Sequence, residues 1–321
     1  MIRILANDGI QDDGKTLLEE AGYQVDTDKV PQDKLIEVLP AYDVVIVRSA
    51  TQIRKDLIDA CPNLKIIARG GVGLDNIDYE YAEQKGITVM NTPAASSQSV
   101  AELVFGHIFN LARSLHVSNR EMPGADAQKF KHLKKLFSEG TQVRGKNLGI
   151  IGFGRIGQEV ARIGLALGMH VMPVDLVVNE ADIDINLYNS KDVRLSVSLQ
   201  TYQMEEVLRH ADFLTLHVPF SGGSALIDAT RLATMKPTAC IINTSRGGAV
   251  DEEALLKALD NGQLAGAALD VFDNEPTPNP ALMNHPKISC TPHIGAATVE
   301  AQAYIGLELA DKIIAFFGDD K

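Results

Sequence analysis

The chain has 321 residues, 45% hydrophobic and 22% charged, with a formal charge of -12 and a pI near 5.1. That length exceeds what one hydrophobic core usually serves, so two domains are expected. The acidic balance argues against a broad nucleic-acid-binding surface. Three cysteines, Cys61, Cys240 and Cys290, lack CxxC spacing; neither a disulfide framework nor a metal site is expected, and a reducing cytoplasm fits best. Residues Met1 to Ala6 read directly as a strand, and no apolar run reaches membrane-spanning length, so secretion and membrane insertion are not expected.

Short apolar runs at Ile2 to Leu5, Val44 to Val47, Lys65 to Ala68 and Ile87 to Met90 alternate with helix-like segments such as Arg54 to Ala60, the pattern of an α/β domain with a parallel sheet. From Ser97 the period changes: Val100, Leu103, Val104, His107, Ile108 and Leu111 lie at helical spacings over a segment too long for an ordinary crossover. It reads as a helix linking two domains. A second alternating series follows, with strands at Leu148 to Ile151, His170 to Val174, Phe213 to His217, Cys240 to Asn243, Ala265 to Leu269 and Ile288 to Cys290, the pattern of a doubly wound nucleotide-binding domain. Between them Val178 to Gln200 is polar and weakly patterned and reads as a surface excursion before a helix at Gln203 to His210. The helical segment Thr298 to Phe317 has no following strand and is expected to pack back on the first domain. That predicts a substrate domain at 1–96 plus 296–321, discontinuous in sequence, with the nucleotide domain at 97–295 inserted in it.

Gly152-Phe153-Gly154-Arg155-Ile156-Gly157 forms GxGxxG between a strand and a helix. Glycine permits the tight turn, lets backbone N–H groups approach a pyrophosphate, and allows close packing of helix on strand; the helix N-terminus adds favourable charge. Glycine turns between strand and helix are common, so context decides. Asp175 ends the next strand 18 residues after Gly157, close to the roughly 20 expected of a carboxylate that binds the adenosine ribose. It would repel a 2′-phosphate, favouring NAD over NADP, although it could also simply start a turn.

Behind this fingerprint come Arg246 in Asn243-Thr244-Ser245-Arg246-Gly247, Glu275 in Val271-Phe272-Asp273-Asn274-Glu275-Pro276, and His293 in Thr291-Pro292-His293-Ile294-Gly295. Arginine grips a carboxylate bidentately. Histidine, with an ordinary pKa of about 6.5, suits proton transfer near neutrality, and a neighbouring glutamate favours its imidazolium form. Singly these are more often loop residues; as an ordered set they point to a nicotinamide-dependent dehydrogenase.

Over nearly its whole length the chain resembles the D-isomer-specific 2-hydroxyacid dehydrogenases, most closely the D-3-phosphoglycerate dehydrogenase branch. The resemblance implies that Arg246 binds the substrate carboxylate, that His293 is the acid/base and that Glu275 pairs with it. It implies a carboxylate-binding nest of N–H groups in Arg69-Gly70-Gly71-Val72-Gly73-Leu74-Asp75-Asn76-Ile77-Asp78, with Gly71, Val72 and Gly73 on the substrate and Val72 also beside the cofactor. Arg155, Ile156, Val218, Thr244, Ser245, Asp270, Gly295 and Ala296 should line the cofactor, Asp270 near the nicotinamide amide. The segment Arg48-Ser49-Ala50-Thr51 matches the phosphoglycerate branch, implying that Arg48 and Ser49 meet a phosphorylated substrate. Lys134 or Lys135 would reach a neighbouring subunit's substrate, although both could be solvated helix lysines. Formate dehydrogenases of this superfamily carry glutamine in place of Glu275, which disfavours that branch. A homodimer is implied, as is the absence of serine feedback, because the chain ends at Lys321 without the regulatory domains of longer members. The leading expectation is NAD-dependent oxidation of D-3-phosphoglycerate; the alternatives are a glyoxylate or hydroxypyruvate reductase and an NAD-sensing corepressor-like binding protein.

Overall fold

A computed structural model describes residues 1–186, 194–220 and 222–318. The chain forms two compact units, Met1–Ser99 with Ala296–Lys321, and Val100–Gly295.

In the first unit, strands β1 (Arg3–Ala6), β2 (Gln24–Asp26), β3 (Val44–Val47), β4 (Ile66–Arg69) and β5 (Thr88–Asn91) form a parallel sheet of order β2-β1-β3-β4-β5, the flavodoxin-like doubly wound arrangement. Every residue of β3 is buried, as expected where helices cover both faces and a strand reads as an unbroken β-branched run. Strand β2 has no counterpart among the expected strands: its three residues Gln-Val-Asp are mostly polar, and only Val25 is buried. The final helix, Val299–Gly318, buries Ile305, Leu309, Ala310 and Ile313 in one cluster with Ile4, Ile46 and Ile66 of the sheet. It lies so close to the helix Asp12–Glu20 that a Cβ on Gly14 would overlap the Gly306 backbone. The last helix thus packs on the sheet of the first unit.

In the second unit, β6 (Asn147–Ile151), β7 (His170–Val174), β10 (Phe213–Leu216), β11 (Cys240–Asn243), β12 (Gly266–Leu269) and β13 (Ile288–Cys290) form a six-stranded parallel sheet of order β13-β12-β11-β10-β6-β7. The chain reverses direction of winding at β6, beside β10, which places the ends of these strands at the switch point where doubly wound sheets bind nucleotides. The helix Ser97–Arg113 contributes Ala101, Val104, Phe105, Ile108 and Ala112 to the core beneath β6 and β10.

The polar stretch after β7 is more regular than its composition suggests. Glu180–Asn186 (β8) and Arg194–Gln200 (β9) pair antiparallel, and residues 187–193 between them lie outside the described residues. Ala181, Ile183 and Leu199 turn one face of this ribbon onto the core, while Glu180 and Ser198 hydrogen-bond on the other face. The alternation Ala-Asp-Ile-Asp-Ile is the period-two signature of a half-buried strand; its charged alternate positions conceal it in a composition average.

Candidate active site

The glycine loop is dictated by collisions. Gly152 sits at φ +94, where a Cβ would also lie 2.5 Å from the His217 carbonyl oxygen, and a Cβ on Gly157 would overlap the Gly152 carbonyl. Gly154 differs: at φ -74 it caps the helix Arg155–Ala166, and a Cβ there would meet nothing within 4 Å among the described residues. Two glycines thus close the turn, and the third keeps open the space at the helix N-terminus that suits a diphosphate. Arg155 is exposed and Ile156 half-buried in the first turn.

Asp175 follows β7. One carboxylate oxygen accepts the Phe153 N–H at 2.6 Å and the other accepts those of Val177 and Val178 at 2.8 and 3.0 Å. Burial pushes its pKa upward, but the N–H donors of Val177, Val178, Phe153 and Leu176 outweigh it, and the net result lies below the ordinary carboxylate value. A fixed anion therefore ties the end of β7 to the glycine loop, on the side of β6 where the adenosine half of a dinucleotide lies in this fold. Val218 is half-buried after β10. These groups fit a dinucleotide: an N-terminal turn with open space at Gly154, and a carboxylate held ionised beside it.

Arg246, Glu275 and His293 follow three adjacent strands, β11, β12 and β13, all at carboxyl ends. Asn243 organises the first loop, accepting from the Ser245 N–H (3.0 Å) and hydroxyl (2.8 Å) and donating to the Arg246 carbonyl (2.8 Å). The Arg246 guanidinium donates to the Ser245 carbonyl at 2.7 Å. A Cβ on Gly247 would overlap the Phe272 carbonyl, so the loops after β11 and β12 touch backbone to backbone. Glu275 accepts the Phe272 N–H at 3.0 Å through one oxygen and meets His293 Nδ1 at 2.7 Å through the other. With Glu275 ionised, Nδ1 carries the proton in that bond, and Nε2 of a neutral imidazole is left as a base. The Thr244 hydroxyl oxygen is buried and has no hydrogen-bond partner among the described residues.

His293 has φ +55, a left-handed conformation costly for a residue with a Cβ and maintained only where surroundings over-determine it. Asp270 supplies that constraint. It is 1% exposed; one oxygen accepts from the Thr291 hydroxyl (2.6 Å) and Ile294 N–H (2.9 Å), and the other from the Gly295 N–H (2.8 Å). Both oxygens of Asp270 thus hold the loop on which His293 stands. Gly295 is buried and Ala296, the next residue, half-buried.

The first unit carries the other expected loop. Gly71 has φ +142, and a Cβ there would overlap the Arg69 guanidinium. The carbonyls of Gly71 and Val72 accept from Thr92 N–H (3.0 Å) and Asn91 Nδ2 (2.7 Å). Asn76 donates to the carbonyls of Arg48 (2.7 Å) and Thr51 (2.6 Å), tying the loop after β4 to that after β3. Arg48 lines a cavity of about 130 Å³ with Asp8, Gln11, Gly70 and Gln302. Ser49 is exposed. Lys135 is exposed in the last turn of the helix Ala127–Leu136, in the second unit.

Sequence reasoning missed the residues that hold the loops: Asn243, Thr291, Asn91 and the Phe272 N–H. Asn243, Asn91 and Thr291 left a signal, a polar residue at or just past the carboxyl end of a strand.

Residues 105–295 match the model of the D-isomer specific 2-hydroxyacid dehydrogenase NAD-binding domain. The chain is 38% identical to hydroxypyruvate reductase of Thermotoga maritima, spanning 98% of both proteins. It is also 38% identical to D-3-phosphoglycerate dehydrogenase of Methanocaldococcus jannaschii, spanning 98% of this chain and 57% of that one. Among solved structures, a protein from Thermus thermophilus superposes with a TM-score of 0.83 at 29% identity over 99% of this chain and 97% of that one. A glyoxylate reductase from Paecilomyes thermophila gives 0.80 at 26% over 97% and 94%. The chain belongs to the D-isomer-specific 2-hydroxyacid dehydrogenase family and is an NAD-dependent enzyme of that family.

Proposed function

We propose that this enzyme oxidises D-3-phosphoglycerate to 3-phosphohydroxypyruvate with NAD, the entry step of serine synthesis. The observation that carries the choice of substrate is Arg48: among the described residues its guanidinium has no ion pair, and it lines a cavity at the carboxyl ends of β1, β3 and β4. A cation in a concavity is suited to an anionic group such as a phosphate; Asp8 in the same lining is taken up by the N–H groups of Arg48 and Thr51 and by Lys29. Residues 1–99 and 296–321 would hold the substrate and residues 100–295 the cofactor. Arg246, on the loop after β11, would receive the substrate carboxylate. His293 Nε2 takes the hydroxyl proton while Glu275 holds Nδ1–H and so steadies the imidazolium that forms. Bound NAD supplies the hydride acceptor, with Gly152, Gly154, Gly157 and Asp175 holding it.

Exposed Phe109, Leu115, Met122, Phe130 and Leu136 lie along three successive helices, an apolar stretch that supports a homodimer; Lys135 among them would then reach the partner's substrate. A second reading, hydroxypyruvate reduction by the same groups, is favoured by the end-to-end match with the Thermotoga maritima enzyme.

Steady-state turnover with D-3-phosphoglycerate, D-glycerate and D-lactate, and in reverse with 3-phosphohydroxypyruvate, hydroxypyruvate and glyoxylate, separates the readings. Phosphoglycerate oxidation predicts preference for the phosphorylated pair, and about 10- to 100-fold loss of kcat/KM for that pair alone in Arg48→Ala. Preference for unphosphorylated acids with Arg48→Ala unaffected would establish the reductase. NADH binding without turnover would point to a sensor.

A further inference from the structure

Behind Asp270 lies a run of polar side chains that neither the cofactor site nor the proton transfer uses. His107 on the helix Ser97–Arg113 is 3% exposed. Its Nε2 lies 3.1 Å from the Thr291 hydroxyl and its Nδ1 3.2 Å from the Ser289 hydroxyl. One turn along the helix, Asn110 Nδ2 donates to Ser289 at 2.6 Å, and Asn110 Oδ1 accepts the His116 N–H at 2.7 Å. Ser289 and Thr291, two residues apart at the end of β13, turn the same way, as strand alternation requires.

The carboxylate end and a neutral His107 together fix the polarity of the run. An amide nitrogen can only donate, and an ionised carboxylate can only accept. Asn110 therefore donates to Ser289, Ser289 to His107 Nδ1, His107 Nε2–H to Thr291, and Thr291 to Asp270 Oδ1. This requires a neutral His107 in its Nε2–H tautomer. Burial draws the His107 pKa below its ordinary value, against the upward pull of Asp270 and with His116 adding to the fall, so neutrality is met. Each member orients the next, and chains of this kind strengthen cooperatively in a low-dielectric interior.

We propose that His107, acting through Thr291 and fed by Ser289 and Asn110, is a positioning residue that locks Asp270 in the orientation that holds His293 in its left-handed conformation. The proposal rests on His293 being the acid/base. Asp270 has three donors; two are N–H groups of the loop it must hold, so the Thr291 hydroxyl is the one that fixes the carboxylate from the strand side. Without it the carboxylate and the loop are free to move together. His107 itself touches neither substrate nor cofactor in this scheme.

The test compares Thr291→Val, which keeps the shape and loses the hydroxyl, with Thr291→Ser, which restores it, alongside His107→Phe and the His107→Phe/Thr291→Val double variant. Each is measured for kcat, KM and NADH affinity by fluorescence titration. Thr291→Val and His107→Phe should each lower kcat about 10- to 100-fold, the worth of a hydrogen bond to a charged group, with NADH affinity held within about threefold. Thr291→Ser should recover most of the loss, and the double variant should be little worse than either single one, since both break one chain. Should His107→Phe fail to fold, Ser289→Ala takes its place, breaking the run one member earlier. The proposal is overturned if Thr291→Val turns over like Thr291→Ser, or if the effects of the two single variants multiply. Turnover surviving in His293→Gln would instead overturn the acid/base assignment beneath it.

Discussion

The glycine loop allows a sharp separation of folding from binding. Gly154→Ala places a methyl group where nothing lies within 4 Å, at a φ of -74 that alanine adopts freely. Alanine is a poorer N-cap than glycine but restricts the unfolded chain, so the two effects leave stability within about 1 kcal/mol. The methyl group does, however, occupy the open side of the helix N-terminus. A diphosphate displaced from there loses at least one charge-assisted N–H bond, worth about 1.5–3 kcal/mol, or roughly 10- to 100-fold in affinity. Gly157→Ala is the converse, because its Cβ overlaps the Gly152 carbonyl; backbone meets backbone, and the helix Arg155–Ala166 must move off β6. That variant should lose several kcal/mol of stability as well as binding. Thermal melting of the two apo proteins and calorimetric titration with NADH make the comparison. If Gly154→Ala binds NADH like the parent, the space beside Gly154 does not receive the cofactor and the site assignment fails.

Three further outcomes follow from the same geometry. Glu275→Gln keeps the acceptor for the Phe272 N–H but turns an NH2 group toward His293 Nδ1, selecting the tautomer whose Nε2 is already protonated; oxidation at neutral pH should fall by about 10²- to 10⁴-fold, and a loss under threefold would remove Glu275 from the mechanism. Asp175→Asn faces three N–H donors with a single acceptor oxygen, so it should melt several degrees lower and lose preference for NADH over NADPH, with unchanged melting and selectivity counting against its role. Acid should destabilise the enzyme before its carboxylates titrate. Burial lowers the pKa of His107 and His116, and that of His217 to about 3, so below about pH 6.5 the unfolded chain takes up these protons ahead of the folded one and stability falls as pH falls. His217 alone contributes a loss of about 2 kcal/mol at pH 5, and identical urea midpoints at pH 7.5 and 5.0 would refute this.

The amino-acid order alone determines more of this enzyme than its fold class. The strands Val44–Val47, His170–Val174, Cys240–Asn243 and Ile288–Cys290 coincide with their sequence runs because a strand in a covered parallel sheet is predominantly apolar, with the polar residues of the last three at or near their ends. The tight turn of GxGxxG and the place of Asp175 beside it are legible for a similar reason: both follow from local backbone geometry at fixed spacing. What local pattern could not reveal is which side chains hold which loop. Strand β2, with one buried residue, and the ribbon β8–β9, with charges at alternate positions, are stabilised by the neighbours they pair with, not by composition. Glu275 meets His293 only because β12 and β13 lie side by side, and Asp270 reaches Ile294 and Gly295 across the same pair. His107, 182 residues before Ser289, reads in sequence as one more position on a helix face. Hydrogen bonds between distant segments depend on directions that only close packing sets, so the chemistry of the site is visible in the chain while the restraint that makes it work belongs to the tertiary structure.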